Sequence, residues 1–146
     1  MLIKDIVKKN LIACDINNNI DSICEVMERY NIGFIPIKNN LDVIGVITDR
    51  DIVIRALANK NESLENIITP NIVSIDINKN INDALELLKI NKIKRLLVKD
   101  NNEYIGVISI SDIIRKDPSN IKIITTLQEI YQDEIIIDTD IDDFIL

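Results

Sequence analysis

The sequence predicts an α+β protein made of two tandem copies of one unit. The first observation is a repeat: the stretch GVITDRDI at residues 45–52 recurs as GVISISDI at residues 106–113, 61 residues further on. This register holds without a gap over about residues 3–53, which indicates a duplication. The second observation is composition, since 47% of the residues are hydrophobic and only 3% are aromatic. The core is therefore mostly isoleucine, valine and leucine, and the β-branched residues among these favour strands.

Each copy starts with a predicted strand and a predicted helix. The apolar segments LIAC in the first copy and NIVSI in the second are the strands. The helices are predicted over residues 17–31 and 78–91, where apolar side chains recur at helical spacing. Asn19 and Asn80 stand where an N-cap is expected.

Each copy continues with a predicted hairpin and a second helix. In the first copy the apolar runs FIPIK and VIGVI flank NNLD, and in the second RLLVK and YIGVI flank DNNE. Asn and Asp between two apolar runs favour turns. The second helix is predicted in DRDIVIRALAN and in SDIIRK. The complete order of each unit is strand, helix, strand, strand, helix.

The repeat also sets the predicted domain boundaries. We expect the first repeat at residues 1–60, the second at 61–117, and a C-terminal helix with an acidic tail at 118–146. A unit of about 50 residues buries little surface and is only marginally stable alone. We therefore expect the two units to pack sheet to sheet, with pseudo-twofold symmetry, around a shared core.

Charge and missing residue types argue against several functions. The formal net charge of −7 disfavours nucleic-acid binding, and no apolar run approaches the roughly 20 residues of a membrane helix. The start MLIKDIVKKN does not resemble a signal peptide, so we expect a cytoplasmic protein without a membrane partner. The chain has no histidine, the commonest general base and metal ligand, and Cys14 and Cys24 form no CxxC pair. We predict no catalytic residue, no metal site and no enzyme activity.

Two hydroxyl–carboxylate pairs are the candidate functional residues. The first pair is Thr48 with Asp51 and the second pair is Ser109 with Asp112; each lies at the junction of a strand and a helix. One interpretation is a capping box that satisfies backbone N–H groups. The other is a nucleotide site, in which the helix N-terminus binds phosphate and the aspartate accepts hydrogen bonds from ribose hydroxyls. The spacing alone leaves both interpretations open.

The duplicated unit resembles a tandem pair of CBS domains, the Bateman module. The resemblance rests on the stretches that close each strand pair and on NKIKRLLVKDNNEYIGVIS, and it covers about residues 2–116. It implies a regulatory module that requires no cofactor and senses an adenosyl small molecule such as AMP, ADP, ATP or S-adenosylmethionine. The ligands would bind in two clefts between the paired units. The resemblance also implies a homodimer and an unidentified protein target.

Particular ligand-binding residues are implied by the same resemblance. The first and second pairs match the family's ribose and phosphate motif. Arg95, with Lys94 beside it, matches a basic position that meets phosphate from the opposite repeat. Ile12 and Val73, on the first strand of each unit, match positions that flank the base, and Pro36 matches a frequent proline. The implied ligand-binding residues are Thr48, Asp51, Lys94, Arg95, Ser109, Asp112, Ile12, Val73 and Pro36.

The two copies differ at two of these positions. Phe34 stands where the second copy has Arg95, and Leu97 stands where the first copy has Pro36. We therefore expect the cleft that joins the first pair to Arg95 to prefer phosphate, while the cleft of the second pair lacks an obvious cation. The alternative function is a structural or interaction protein that dimerises without nucleotide, in which both pairs only cap helices.

The chain after Lys116 lies outside the repeat. Residues 119–132 predict an amphipathic helix with Ile121, Ile124, Leu127 and Tyr131 on one side. The final stretch DEIIIDTDIDDFIL alternates acids with isoleucine and lacks the glycine and glutamate spacing of an EF-hand loop. We expect a mobile or surface-docked acidic tail whose apolar residues suit a partner or a second subunit.

Overall fold

A computed structural model describes residues 1–132, which form two compact units. The first unit is Asn10–Ile72, and the second unit combines Met1–Lys9 with residues 73–132. Each unit carries a three-stranded sheet of mixed direction with helices, so the predicted α+β class is confirmed. The sheet-to-sheet packing, the pseudo-twofold symmetry and the domain boundaries stay predictions. The acidic tail lies outside the described residues.

The first unit follows the predicted order of strand, helix, strand, strand, helix. Its elements are β1 (Cys14–Asp15), α1 (Ile20–Tyr30), β2 (Phe34–Asn39), β3 (Asp42–Thr48), α2 (Asp49–Asp51), a π-helix (Ile52–Leu57) and α3 (Leu64–Ile67). Strand β2 is central, parallel to β1 and antiparallel to β3. Ile23 of α1 packs on the fully buried side chains of Ile35, Ile37 and Ile47 in this sheet.

The second unit repeats this order and adds a helix. Its elements are a 3-10 turn (Ile3–Asp5), β4 (Ser74–Asp76), α4 (Ile81–Asn91), β5 (Arg95–Asp100), β6 (Glu103–Ser109), α5 (Ile110–Lys116) and α6 (Lys122–Tyr131). Strand β5 is central, parallel to β4 and antiparallel to β6. The core of this unit is built from Leu85, Leu88, Leu96, Ile108 and Ile113, with Ile3 from the chain start.

Both predicted N-caps are confirmed. The Asn19 side chain accepts a hydrogen bond of 2.8 Å from the Ser22 N–H at the start of α1. The Asn80 side chain accepts from the N–H groups of Asn82 and Asp83 at the start of α4. The Asp83 carboxylate completes a capping box by accepting from the Asn80 N–H at 3.1 Å. These bonds satisfy N–H groups that a helix start leaves without partners.

The first strand of each unit is shorter than predicted, and the two differ in length. In the second unit the Leu97 N–H donates to the Val73 carbonyl at 3.1 Å, and Ser74 is the first residue to pair with β5. Pro36 is the counterpart of Leu97 and has no N–H to donate. Strand β1 therefore begins only at Cys14. The expectation that Ile12 and Val73 lie on these strands is wrong, because both precede them.

Each unit is completed by the segment that precedes the first strand of the other repeat. In the first unit Thr69 and Val46 exchange two backbone hydrogen bonds of 2.8 and 2.9 Å. A Cβ on Gly45 would lie 2.7 Å from the Thr69 carbonyl oxygen, and one on Gly106 would lie 2.5 Å from the Lys8 carbonyl oxygen. Lys8 and Thr69 are themselves 61 residues apart. The two glycines of the repeat thus allow equivalent close approaches of backbone.

Helix α6 forms near its predicted place but buries a different side. Ile123 and Ile130 lie in the core of the second unit, whereas Ile121 and Ile124 are 85% and 65% exposed. Thr126 is also buried. Its hydroxyl donates to the Lys122 carbonyl at 2.8 Å, so burial does not leave it without a hydrogen-bond partner. The predicted apolar side is therefore wrong for Ile121 and Ile124, whereas Leu127 packs against the core. A threonine can take a buried position when its hydroxyl bonds within the helix.

Candidate functional site

The first pair forms a complete capping box at the start of α2. The Asp51 Oδ2 atom accepts from both the N–H and the hydroxyl of Thr48, each at 2.9 Å. The Thr48 Oγ1 atom accepts in turn from the Asp51 N–H at 3.1 Å. Strand β3 ends at Thr48, so the box fixes the turn from strand to helix. The capping interpretation therefore describes the local geometry correctly.

The second pair has the same geometry at the start of α5. The Asp112 Oδ2 atom accepts from the Ser109 hydroxyl at 2.6 Å and from the Ser109 N–H at 2.8 Å. The Asp112 N–H donates back to the Ser109 Oγ atom at 3.2 Å. A further hydroxyl, that of Ser111, lies 2.8 Å from the Ser109 Oγ atom. Two equivalent points of the repeat thus hold a carboxylate in one fixed orientation.

The capping boxes occupy one carboxylate oxygen of each aspartate, and an arginine lies near the other. Arg55 Nε is 3.6 Å from Asp51 Oδ1, and Arg115 forms an ion pair with Asp112 Oδ1. The Asp51 side chain is 15% exposed and the Asp112 side chain 32%. The carboxylate of the first pair is therefore less exposed to solvent than that of the second pair.

Sequence reasoning missed both arginines. Arg55 follows Asp51 by four residues and Arg115 follows Asp112 by three, which are the spacings at which side chains meet on a helix. Arg55 also donates to the Ile67 carbonyl at 3.1 Å and to the Thr69 hydroxyl at 3.3 Å. It thereby ties the first pair to residues 67–69, which pair with β3 at Val46 and which we call the crossing segment.

Arg95 and Lys94 lie beside the second pair within the second unit. Arg95 begins β5 and stands opposite Ser109 in the antiparallel register, so their side chains leave the sheet on the same face. The Lys94 carbonyl accepts from the Ile110 N–H at 3.1 Å. The Lys94 Nζ atom lies 4.3 Å from the centre of the Tyr131 ring, which is a cation–π contact.

This placement corrects one expectation about the second pair. A cation does stand beside it, because Arg95 faces Ser109 in the register and Arg115 pairs with Asp112. In the first unit the counterpart of Arg95 is Phe34, which is half-buried opposite Thr48. The prediction that Arg95 serves the first pair concerns two different units and stays a prediction.

The predicted base-flanking residues lie in different surroundings. Ile12 and Val73 are half-buried, and Val73 packs against the core of the second unit. Pro36 is buried in the central strand β2, opposite Val46. Their roles in ligand binding stay predictions.

The first unit also contains an open groove of about 690 Å³ that sequence reasoning did not predict. It lies between the start of α1 and the end of the π-helix with the chain that follows it, and it does not include the first pair. Its lining mixes apolar side chains with charges of both signs. The residues are Asn19, Ile20, Asp21, Ala56, Leu57, Lys60, Asn61 and Glu62.

Both cysteine thiols have a raised pKa, and residues 1–132 contain no group of metal ligands. Burial raises the pKa of the Cys14 thiol, and partial burial together with the charge of Asp21 raises that of Cys24. A raised pKa leaves little thiolate at neutral pH. Within residues 1–132, no three His, Cys, Asp or Glu side chains are grouped to hold a metal ion. None of the helices in that part of the chain has the length and apolar character needed to cross a bilayer.

Comparison with known proteins gives the family. The CBS domain family matches residues 3–57 and again residues 64–119. The chain therefore belongs to the CBS domain family and carries two CBS domains in tandem.

Two curated proteins show the range of relatives. The chain is 31% identical over 114 residues to an inosine-5'-monophosphate dehydrogenase of Methanocaldococcus jannaschii, covering 77% of this chain but only 23% of that enzyme. It is 26% identical to the CBS domain-containing protein YhcV of Bacillus subtilis, covering 81% of this chain and 86% of that protein. The first match thus spans about a quarter of a larger enzyme, whereas the second spans most of a small protein.

A solved structure of another CBS domain pair has a similar fold. The CBS domain pair of protein MJ0100, crystallised with 5'-methylthioadenosine and S-adenosyl-L-methionine, matches with a TM-score of 0.74 and 26% identity. The match covers 81% of this chain and 96% of that domain pair.

Proposed function

We propose that this protein is a regulatory module that binds an adenine nucleotide or a related adenosyl compound in clefts between its two CBS domains. The first pair, Thr48 with Asp51, would hold the ribose and phosphate of one ligand. The second pair, Ser109 with Asp112, would do so for another. Candidate ligands are AMP, ADP, ATP and S-adenosylmethionine.

The observation that carries the proposal is the duplicated carboxylate whose second oxygen the capping box does not use. In both pairs Oδ2 accepts the capping hydrogen bonds, while Oδ1 is approached by an arginine. A carboxylate has about four acceptor sites, and the capping bonds use two of them. Asp51 Oδ1 can therefore still accept from two ribose hydroxyls, whereas on Asp112 the hydrogen bond from Arg115 already takes one of the remaining sites. The cap fixes the side-chain rotamer before a ligand arrives, which lowers the entropy lost on binding.

Similarity to MJ0100 supports the same ligand class. That CBS domain pair was crystallised with two adenosyl compounds and is 26% identical to this chain. The homodimer and the unidentified protein target follow from family resemblance and belong to the proposal. Regulation also requires that the ligand bind two states of the protein with different affinity.

The test is thermal melting with AMP, ADP, ATP, NAD and S-adenosylmethionine. A ligand at 100 times its dissociation constant stabilises the folded state by about 2.7 kcal/mol. Asp51→Asn retains an oxygen that can accept the capping bonds but replaces the other with an NH₂ donor. We expect it to remove the part of the ligand-induced shift that the first pair contributes and to leave a folded protein. A full shift in Asp51→Asn would contradict the assigned role of Asp51.

Asp83→Asn is the matched control. Asp83 forms the same capping box, at the start of α4, but belongs to neither pair. Its replacement reports what a cap alone contributes, so it should lower the melting temperature without changing the ligand-induced shift.

The second candidate is a structural module that dimerises without nucleotide. It is favoured by one observation, the completeness of both capping boxes. It predicts that no compound in the panel shifts the melting temperature, that Asp51→Ala unfolds the protein, and that sedimentation shows the same dimer with and without nucleotide.

A further inference from the structure

The aspartates of the two pairs differ in how many acceptor sites they have left for a ligand. In each pair Oδ2 accepts the capping hydrogen bonds from the N–H and the hydroxyl of Thr48 or of Ser109. A carboxylate has about four acceptor sites, so Oδ1 supplies the remaining two. What distinguishes Asp51 from Asp112 is therefore the arginine beside Oδ1.

Arg115 takes one of the two open sites on Asp112. Its Nη2 atom donates a hydrogen bond to Asp112 Oδ1 within one turn of α5. Within residues 1–132 this is the one hydrogen bond of the Arg115 side chain. A ribose hydroxyl that displaced Arg115 would exchange one charge-assisted hydrogen bond for another, so it would add little to the affinity of a ligand.

Arg55 leaves both sites on Asp51 open. Its Nε atom lies 3.6 Å from Asp51 Oδ1, which is too long for a hydrogen bond. The Nη1 atom of Arg55 donates instead to the Ile67 carbonyl at 3.1 Å and to the Thr69 hydroxyl at 3.3 Å. The crossing segment thus holds the guanidinium away from the carboxylate, and two ribose hydroxyls can bind Oδ1 without displacing Arg55.

Substitutions between the two copies of the repeat explain this difference. At an offset of 61 residues, Arg115 takes the place of Ile54 and Lys8 takes the place of Thr69. The arginine of the second unit therefore follows its aspartate by three residues instead of four. Since Lys8 has no hydroxyl, the second unit also lacks the acceptor that helps to hold Arg55 away from its carboxylate.

We infer that the first pair recognises both hydroxyls of a ribose, whereas Arg115 limits the second pair to one. The first pair then distinguishes a ribonucleoside from its deoxy forms, because loss of a hydroxyl leaves an acceptor site of Asp51 unfilled. The second pair tolerates such a loss, because the other hydroxyl can take the single open site of Asp112. This inference rests on the proposed binding of adenosyl ligands by the two pairs and adds which ligands each pair selects.

The test compares adenosine, which has the base and the ribose hydroxyls of every candidate ligand, with 2'-deoxyadenosine and 3'-deoxyadenosine by isothermal titration calorimetry. Asp112→Asn leaves the first pair intact, and Asp51→Asn leaves the second. We expect each deoxy compound to bind the first pair about tenfold more weakly than adenosine, as for the loss of a hydrogen bond to a charged group. At the second pair the loss should stay below about threefold. Equal losses at both pairs would overturn the inference.

Two further variants in the Asp51→Asn background identify the residue responsible. Arg115→Met removes the donor to Asp112 but keeps much of the length of the side chain. We expect adenosine then to bind more tightly, and the deoxy compounds to bind about tenfold more weakly than adenosine. Lys116→Met is the matched control, because it removes the same charge from the neighbouring exposed position and should leave the ratio of affinities unchanged. An unchanged ratio in Arg115→Met, or the same change in both variants, would overturn the inference.

The ratio of two affinities separates ligand selection from protein stability. A variant that only lowers the folded fraction weakens the binding of adenosine and of its deoxy forms equally, so it leaves the ratio unchanged. If adenosine binds to neither Asp112→Asn nor Asp51→Asn, the proposed function fails and the inference fails with it. If adenosine binds to both variants with equal selectivity, the proposed function stands and only the inference is wrong.

Discussion

The carbonyl oxygen of Thr69 lies 2.7 Å from the point that a Cβ on Gly45 would occupy. Cβ atoms do not approach backbone oxygens so closely, so only glycine fits under the crossing segment without movement. The same relationship recurs between Gly106 and Lys8 at 2.5 Å. The duplicated glycine is therefore explained by packing of a β-strand against the segment that precedes the first strand of the other repeat.

Gly45→Ala should lower the free energy of unfolding by about 1–3 kcal/mol, the usual effect of overpacking. The methyl group would push Thr69 away from Val46 and strain their two backbone hydrogen bonds. Urea denaturation measures the change. Gly33→Ala is the control, because the atoms nearest to its Cβ would belong to the exposed, rotatable side chain of Asp49 and not to backbone. Equal losses in the two variants would contradict the crossing-segment explanation.

Arg55 should stabilise the first unit more than its exposure suggests. It contacts Asp51 and also donates to the Ile67 carbonyl and the Thr69 hydroxyl. Hydrogen bonds from charged groups contribute about 1.5–3 kcal/mol, but solvent screens those of a side chain that is 45% exposed. We therefore expect Arg55→Gln to reduce the free energy of unfolding by about 1–2 kcal/mol in total.

Arg115→Gln provides the comparison for Arg55. Arg115 is 66% exposed and pairs with Asp112 on its own helix, and exposed pairs of this kind contribute about 0–1 kcal/mol. Urea denaturation of both variants should rank Arg55 well above Arg115. The reverse ranking would show that the contacts of Arg55 to the crossing segment carry little energy.

Local patterns in the sequence predicted most of the elements. Asparagine caps, apolar rows at helical spacing and polar turns between apolar runs each act over a few residues, and all of these appear in the structure. Local patterns did not predict which of the two units each segment packs on. Both repeats have the same pattern, so the sequence does not say on which copy Met1–Lys9 packs.

In the candidate site too, local patterns predicted some features, whereas others depend on packing. The two hydroxyl–carboxylate pairs were predicted because their spacing is local, and the structure places each at a strand-to-helix junction. Arg95 stands opposite Ser109 because of the register between β5 and β6. Pairing the two predicted strands across their turn would have predicted this neighbour. The contact between Lys94 and Tyr131 depends on how α6 packs, which no local pattern encodes.

The buried side of α6 can be tested directly. Ile123→Ala should lower the free energy of unfolding by about 2–5 kcal/mol, because it leaves a cavity beside α4. Ile124→Ala removes the same atoms from a side chain that is 65% exposed and should change stability by less than about 0.5 kcal/mol. Urea denaturation measures the effect of the same substitution at two neighbouring positions. A larger loss of unfolding free energy in Ile124→Ala would show that the side predicted from the sequence is the buried one.

Cys14 should make the stability of the protein fall at alkaline pH. Its pKa is raised by burial in the folded state, while an unfolded thiol ionises near pH 8.5. The unfolded state therefore loses its proton first, and the stability contributed by the protonated thiol is complete below about pH 8.5 and declines as pH rises above it. Urea denaturation between about pH 7 and pH 10 measures this slope. Cys14→Ala should reduce the slope, whereas Cys24→Ala, which removes the more exposed thiol, should change it less. A wild-type slope that survives in Cys14→Ala would assign the alkaline loss to other groups.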